Sequence, residues 1–257
     1  MEEQKLRIVL LCGDNFSSRV MFHALHSHFT IIKVIIENKP SSLSIIRRRL
    51  RKLGVAAVTG QILFKIFNVF LGYFSSRRIH ELIRFYAIHD LPIPSVMITR
   101  VASVNDPTVM KILQSINPDA IVVNGTRIIA PAILSSVSAP FLNTHMGITP
   151  KYRGVHGGYW ALAMQDPENC GVTVHLVDAG IDTGGILYQD RIHPEASDNF
   201  NTYPIHQIAK AIPLMRQALN DIKNHTLENK ISKPPSFLWH HPTLWTYLVN
   251  RWYRNVK

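Results

Sequence analysis

The chain has 257 residues, 46% of them hydrophobic, which is enough for one large domain with a sizeable core. A net charge of +11 directs attention to anionic partners: phosphorylated substrates, nucleic acid or an anionic membrane. Two cysteines, Cys12 and Cys170, exclude a disulfide scaffold, and the acidic start MEEQK lacks the basic region of a secretory leader, so a cytoplasmic location is expected.

LRIVLLCGD (6–14) reads as a buried strand ending in a turn, although Gly13 lacks the further glycines of a dinucleotide-binding fingerprint. Ser17 or Ser18 caps a helix to about His28, and FTIIKVIIE (29–37) is a second strand. Residues 43–88 read as helical throughout, with a basic run at Arg47, Arg48, Arg49, Arg51 and Lys52. Within them VAAVTGQILFKIFNVFLGYF (55–74) is nearly apolar over a bilayer-spanning length. Gln61, Lys65 and Asn68 interrupt it, and a span would put one sheet on both sides of a membrane, so a transmembrane helix is not expected. Two readings stand. The helix packs on the domain or at an oligomer contact, giving a homodimer, or residues 43–74 lie on the inner face of an anionic membrane. Packing is favoured, as the commoner use of amphipathicity.

Strand–helix alternation then resumes. Ser95–Thr99, DAIVVNG (119–125), FLNTHM (141–146), GVTVHLVD (171–178) and GILYQDRIH (185–193) read as strands. Helices are expected from Asp106-Pro107 to Ile116, over Pro131–Ser135, from Gly157 to Met164 and over 201–223, followed by an aromatic, basic tail. The class is α/β, a mostly parallel sheet with helices on both faces, and ligands are expected off the carboxyl ends of its strands. Residues 1–200 form the catalytic domain, 43–88 a helical insertion and 201–257 a short C-terminal helical extension.

Two polar elements stand out. Asn143 and His145 are two apart on a strand, so they face one side, and Gly147 and Pro150 turn the chain away from them. Downstream, VDAGIDTGG (177–185) sets Asp178, Asp182 and Thr183 among three glycines, whose exposed main chain suits a flat heterocycle. An amide that donates to an oxyanion, an imidazole and a carboxylate that orients it suit transfer of an acyl group to an amine. His156 is read as touching substrate and His175 as facing outward. Arg153 is read as an acceptor-phosphate fork or a support for its loop. His23, His26 and His28 lack partners for a metal, and none is expected.

Asn143-Thr144-His145, Gly147 to Pro150, Tyr152-Arg153-Gly154 and GVTVHLVDAGIDTGGIL (171–187) together resemble the formyltransferase family that uses 10-formyltetrahydrofolate. The resemblance runs from about 95 to 195, with a looser fit over 6–37. It implies a Rossmann-like fold with Asn143, His145 and Asp182 as catalytic residues. Arg127, Ile128 and Ile129, with Asp178 and Gly180, become the folate-binding set, and Gly147, Tyr152, Arg153 and His156 the acceptor set. The implied function is N-formylation of a small phosphorylated amine. A nucleotide-linked amino sugar is preferred, as in lipopolysaccharide O-antigen biosynthesis, because the C-terminal region is shorter than the second domain of the family's tRNA enzymes. Formyltetrahydrofolate hydrolysis and glycinamide ribonucleotide formylation are the alternatives. A non-enzymatic folate- or nucleic-acid-binding module ranks last, and no nucleic-acid partner is expected.

Overall fold

Seven short runs rich in Val, Ile and Leu build the single large sheet of the computed structural model, which describes residues 5–231 and 234–257. β1 (Arg7–Gly13), β2 (Thr30–Glu37), β3 (Ile98–Val101), β4 (Ala120–Asn124) and β5 (Phe141–His145) pair in parallel in the order β3-β2-β1-β4-β5. β6 (Arg153–Gly154) leaves this sheet, and β7 (Gly171–Leu176) and β8 (Ile186–Arg191) extend it antiparallel beyond β5. Strand order reverses between β1 and β4, and the carboxyl ends of β4 and β5 open on the crevice that such a reversal creates.

Helices cover both faces, as a sheet buried on two sides requires. α1 (Phe16–His26) is capped not by Ser17 or Ser18 but by Asn15, two residues before Ser17, which accepts from the Ser18 N–H at 3.0 Å. α2 spans Ser42–Phe85. α3 (Pro107–Ile116) opens with Asp106 as cap and proline in the first turn, as anticipated. α4 (Pro131–Leu134), α5 (Gly157–Ala163) and α6 (Tyr203–Lys223) follow. On one face Leu10, Val122 and Val174 pack with Phe22, Ile208 and Met215; on the other Val9, Leu11 and Val123 pack with Val109, Leu113 and Ile133. α6 is therefore part of the main core. Its Ile208, Ala211, Met215 and Leu219 are completely buried. Two short elements follow: β9 (Leu238–Trp239), which pairs with β6, and α7 (Leu244–Tyr253).

The expected 43–88 helix is present but broken. Gly54 sits at φ 80°, ψ 168°, outside helical space and in a region that disfavours side chains. Beyond it one stripe packs inward: Phe64 stacks edge-on against Phe200 at 4.9 Å and lies 5.0 Å from Tyr247 of α7. Gln61 donates to the His241 carbonyl at 3.0 Å, and Asn68 pairs with Asn201. The packing expectation holds for this stripe only; the opposite one, including Ile66, Phe70 and Phe74, is exposed.

A buried carboxylate ties α2 to α6. Asp198 accepts from Arg78 Nε at 2.9 Å, His206 Nε2 at 2.9 Å and the Glu195 N–H at 2.8 Å, while His206 Nδ1 meets the Tyr86 hydroxyl. Burial alone would raise its pKa, yet these donors hold Asp198 well below the usual carboxylate range. Asp198→Ala takes the acceptor from His206 Nε2 and one of the carboxylates from Arg78, which keeps Glu195, and should cost about 2 kcal/mol in a urea titration.

Candidate active site

The site is built where β5 meets β7. Antiparallel register sets Asn143 opposite His175 and His145 opposite Thr173, so all four side chains leave the same face of the sheet. Val172 and Val174 alternate into the core. Asn143 Nδ2 lies 3.1 Å from His175 Nε2, and His175 Nδ1 lies 2.7 Å from the Leu176 carbonyl. That carbonyl can only accept, so His175 carries its proton on Nδ1 and its Nε2 lone pair accepts from Asn143. One amide hydrogen is thereby held, and the other is left for the cleft.

His145 is fixed by the same logic. Its Nε2 lies 2.6 Å from the Tyr152 carbonyl and so donates to it, which leaves Nδ1 facing Asp182 Oδ2 at 3.3 Å. Gly147 permits this approach: a Cβ there would fall 2.5 Å from the Tyr152 carbonyl oxygen and 2.8 Å from His145 Nε2. Asp182 comes from the glycine-rich loop after β7. Its Oδ2 accepts from the Gly154 N–H at 2.9 Å, and Oδ1 lies 3.6 Å from His175 Nε2. Arg153 braces the loop by donating to the Ile181 carbonyl at 2.8 Å. Asp178 closes the loop's start, accepting from the Gly180 N–H and the Thr183 hydroxyl.

Burial pushes the His145 pKa down, against the pull of the Asp182 charge and the Tyr152 carbonyl, so the imidazole rests neutral. Burial would raise Asp182, but the neighbouring His145 and the Gly154 N–H hold it down to about 2. A neutral base thus stands beside a fixed anion. Asp182 (φ 51°) and His156 (φ 58°) both hold left-handed backbone beside the cleft, a strain that tertiary contacts must impose.

The cleft encloses about 420 Å³. It is lined by Asn143, His145 and Asp182 together with Arg127, Ile128, Ile129, Asp178, Gly180 and His156. The Arg127 guanidinium turns away to Glu37, at 3.0 Å, and to the Asn38 and Ala102 carbonyls. Its part at the cleft is to anchor the 126–129 segment. Gly147, Tyr152 and Arg153 lie behind the wall: Tyr152 is fully buried, its hydroxyl on Asp166 and its carbonyl on His145. His175 was read as outward-facing and is instead buried in the site. Thr173 and His175 alternating with Val172 and Val174 carried that signal.

Behind His156 a second cavity of about 350 Å³ lies between α2 and Phe200, with Arg49 and Lys65 on its wall. His156 Nε2 and His241 Nδ1 are 2.9 Å apart there, and burial pushes them down to about 3 and about 4, so both are neutral. Among the described residues no group of three or more His, Cys, Asp or Glu is placed to hold a metal ion.

The family profile described as "Formyl transferase" matches residues 14–209. The methionyl-tRNA formyltransferase of Chlorobium chlorochromatii is 38% identical over 97 residues, covering 37% of this chain and 31% of that protein. That of Azobacteroides pseudotrichonymphae is 29% identical over 147 residues, 57% of this chain and 44% of its own. The chain thus matches less than half the length of these curated relatives. Among solved structures, glycinamide ribonucleotide transformylase 1 from Symbiobacterium toebii superposes with a TM-score of 0.58 at 16% identity, over 91% of this chain and 95% of that one. A sugar N-formyltransferase from a Shewanella species gives 0.55 at 16% identity, over 91% and 76%. At such identity the likeness is one of fold, a Rossmann-like sheet.

The coupling of the two buried groups is open to titration. In NMR spectra His145 should titrate below the ordinary imidazole range. Asp182→Asn removes the anion that raises it and should move the midpoint lower still; an upward shift would contradict the assigned electrostatics.

Proposed function

The chain belongs to the formyl transferase family, and we propose that it moves the formyl group of 10-formyltetrahydrofolate to the primary amine of a nucleotide-linked amino sugar. The observation that carries this reading is the convergence of a half-satisfied amide, a neutral imidazole and a fixed carboxylate on one cleft.

The donor's fit rests on the cleft's chemistry. Ile128, Ile129 and Val177 supply apolar walls for a flat heterocycle, and the 125–129 and 178–181 segments border it. When bound, the folate supplies an activated formyl carbon and a nitrogen leaving group. The free N–H of Asn143 donates to the formyl oxygen as it gains negative charge. Nδ1 of His145, turned toward Asp182, carries the lone pair that takes the proton of an amine entering beside the carboxylate. Asp182 stabilises the imidazolium, which gives its proton to the departing folate nitrogen as the bond from that nitrogen to the formyl carbon breaks, and the Tyr152 carbonyl keeps the ring from turning. No side chain needs to be acylated.

For the acceptor, support comes from the cavity behind His156. Arg49 and Lys65 border it, and neither has a carboxylate partner among the described residues, so they suit the phosphates of a nucleotide. Both cysteines are buried and unpaired, in keeping with a cytoplasmic enzyme.

Asn143→Ala should lower kcat/KM for formyl transfer by roughly 100- to 1,000-fold, the loss that follows removal of one oxyanion donor. Arg49→Gln should raise KM for a phosphorylated acceptor about tenfold with little change in kcat. The direct test is folate-dependent formylation of nucleotide-linked amino sugars, glycinamide ribonucleotide and methionyl-tRNA side by side. Formylation of either of the latter two alone would reassign the acceptor, and formate release without any amine would make the protein a hydrolase.

A further inference from the structure

α2 is apolar on two opposite sides, which is unusual for a helix on a protein surface. The stripe Phe64, Phe67 and Leu71 packs on the domain. About half a turn away, Ile62, Ile66, Val69, Phe70, Tyr73 and Phe74 form a second stripe at helical spacing, and Phe74 is 80% exposed. α7 lies alongside: Trp245 sits over Gly60, so closely that a Cβ there would come within 2.3 Å of its ring. α7 carries its own exposed apolar side chains, Leu248, Val249, Trp252 and Tyr253, with Trp252 at 86%. An exposed apolar surface of this extent on two adjacent helices marks an interaction face.

Charge identifies the occupant. No Asp or Glu occurs between residues 38 and 80 or after residue 228. Arg47, Arg48, Arg51 and Lys52, in the helical segment leading into the apolar stripe, are exposed and have no carboxylate partner among the described residues. A second copy of the chain would bring this cationic surface against itself across a two-fold axis, where like charges repel. Tyr73, Trp245, Trp252 and Tyr253 are the amphipathic aromatics favoured where hydrocarbon meets headgroups. Although α2 is long and apolar enough to cross a bilayer, Gln61, Asn68 and Phe64 bind it to the domain along its length. It lies on a surface rather than through one.

We propose that the exposed faces of α2 and α7 dock this protein on an anionic lipid bilayer, the aromatic and aliphatic side chains entering the acyl boundary and the 47–52 cations meeting the headgroups. The inference is independent of the acceptor and of formyl transfer itself.

The test is vesicle flotation with the full chain. Vesicles of phosphatidylcholine containing phosphatidylglycerol should bind it at least about tenfold more tightly than phosphatidylcholine alone. The doubles Phe70→Asp/Phe74→Asp and Arg47→Glu/Arg48→Glu should each weaken that binding about tenfold or more. All four residues are exposed, so far-UV circular dichroism and the urea midpoint should stay unchanged and report on folding separately. Bound protein should come off in an alkaline carbonate wash. Three results would overturn the proposal: no binding to phosphatidylglycerol vesicles, retention through the carbonate wash as a spanning segment, or a lipid-free dimer that Phe70→Asp/Phe74→Asp dissociates, which would make the face a protein interface.

Discussion

The antiparallel pairing of β5 with β7 is the constraint on which the site depends. A parallel neighbour would bring the alternation of its side chains to β5 with a different stagger. The antiparallel register instead sets Asn143 directly against His175, close enough for the amide and the ring to bond. The same pair places Thr173 under the 147–149 turn, where its hydroxyl donates to the Gly147 carbonyl and accepts from the Thr149 N–H. That turn carries the chain to Tyr152, whose carbonyl fixes His145. Asn143 and His145 are thus each held by a partner that the β5–β7 register positions.

Rigidity at the site comes largely from main-chain partners. His145 leans on a carbonyl, His175 on a carbonyl and Asp182 on an amide N–H, and none of these can rotate away. Such fixed dipoles cost no reorganisation as charge moves. The same design explains Arg127. Its charge is consumed by Glu37, and what it offers the cleft is a loop that cannot drift.

The insertion divides its labour between two sides. Its inner stripe closes the cavity behind His156 and is locked through Asp198 and Arg78 to the core helix α6. Its outer stripe is left open with α7 beside it. A choice between a packed helix and a surface-seeking one was posed as exclusive, and α2 has the residues for both.

Much was legible in the sequence because its signals are local. Period-two alternation in 141–145 put Asn143 and His145 on one face, and Asp106-Pro107 marked a helix start that is realised as read. The glycines of 177–185 marked the loop that carries Asp182. What stayed hidden required knowing which strand lies beside which. His175 gains its place only from pairing with Asn143, 32 residues away, and Tyr152 acts through a carbonyl that any residue type would offer. Residue order along the chain sets the alternation, the Asp106 cap of α3 and the pairing of chemistry-bearing residues within each element. Tertiary structure alone decided the tautomer of each histidine, the core membership of α6 and which stripe of α2 is covered. Those depend on contacts between distant segments, and such contacts leave no periodic trace along the chain.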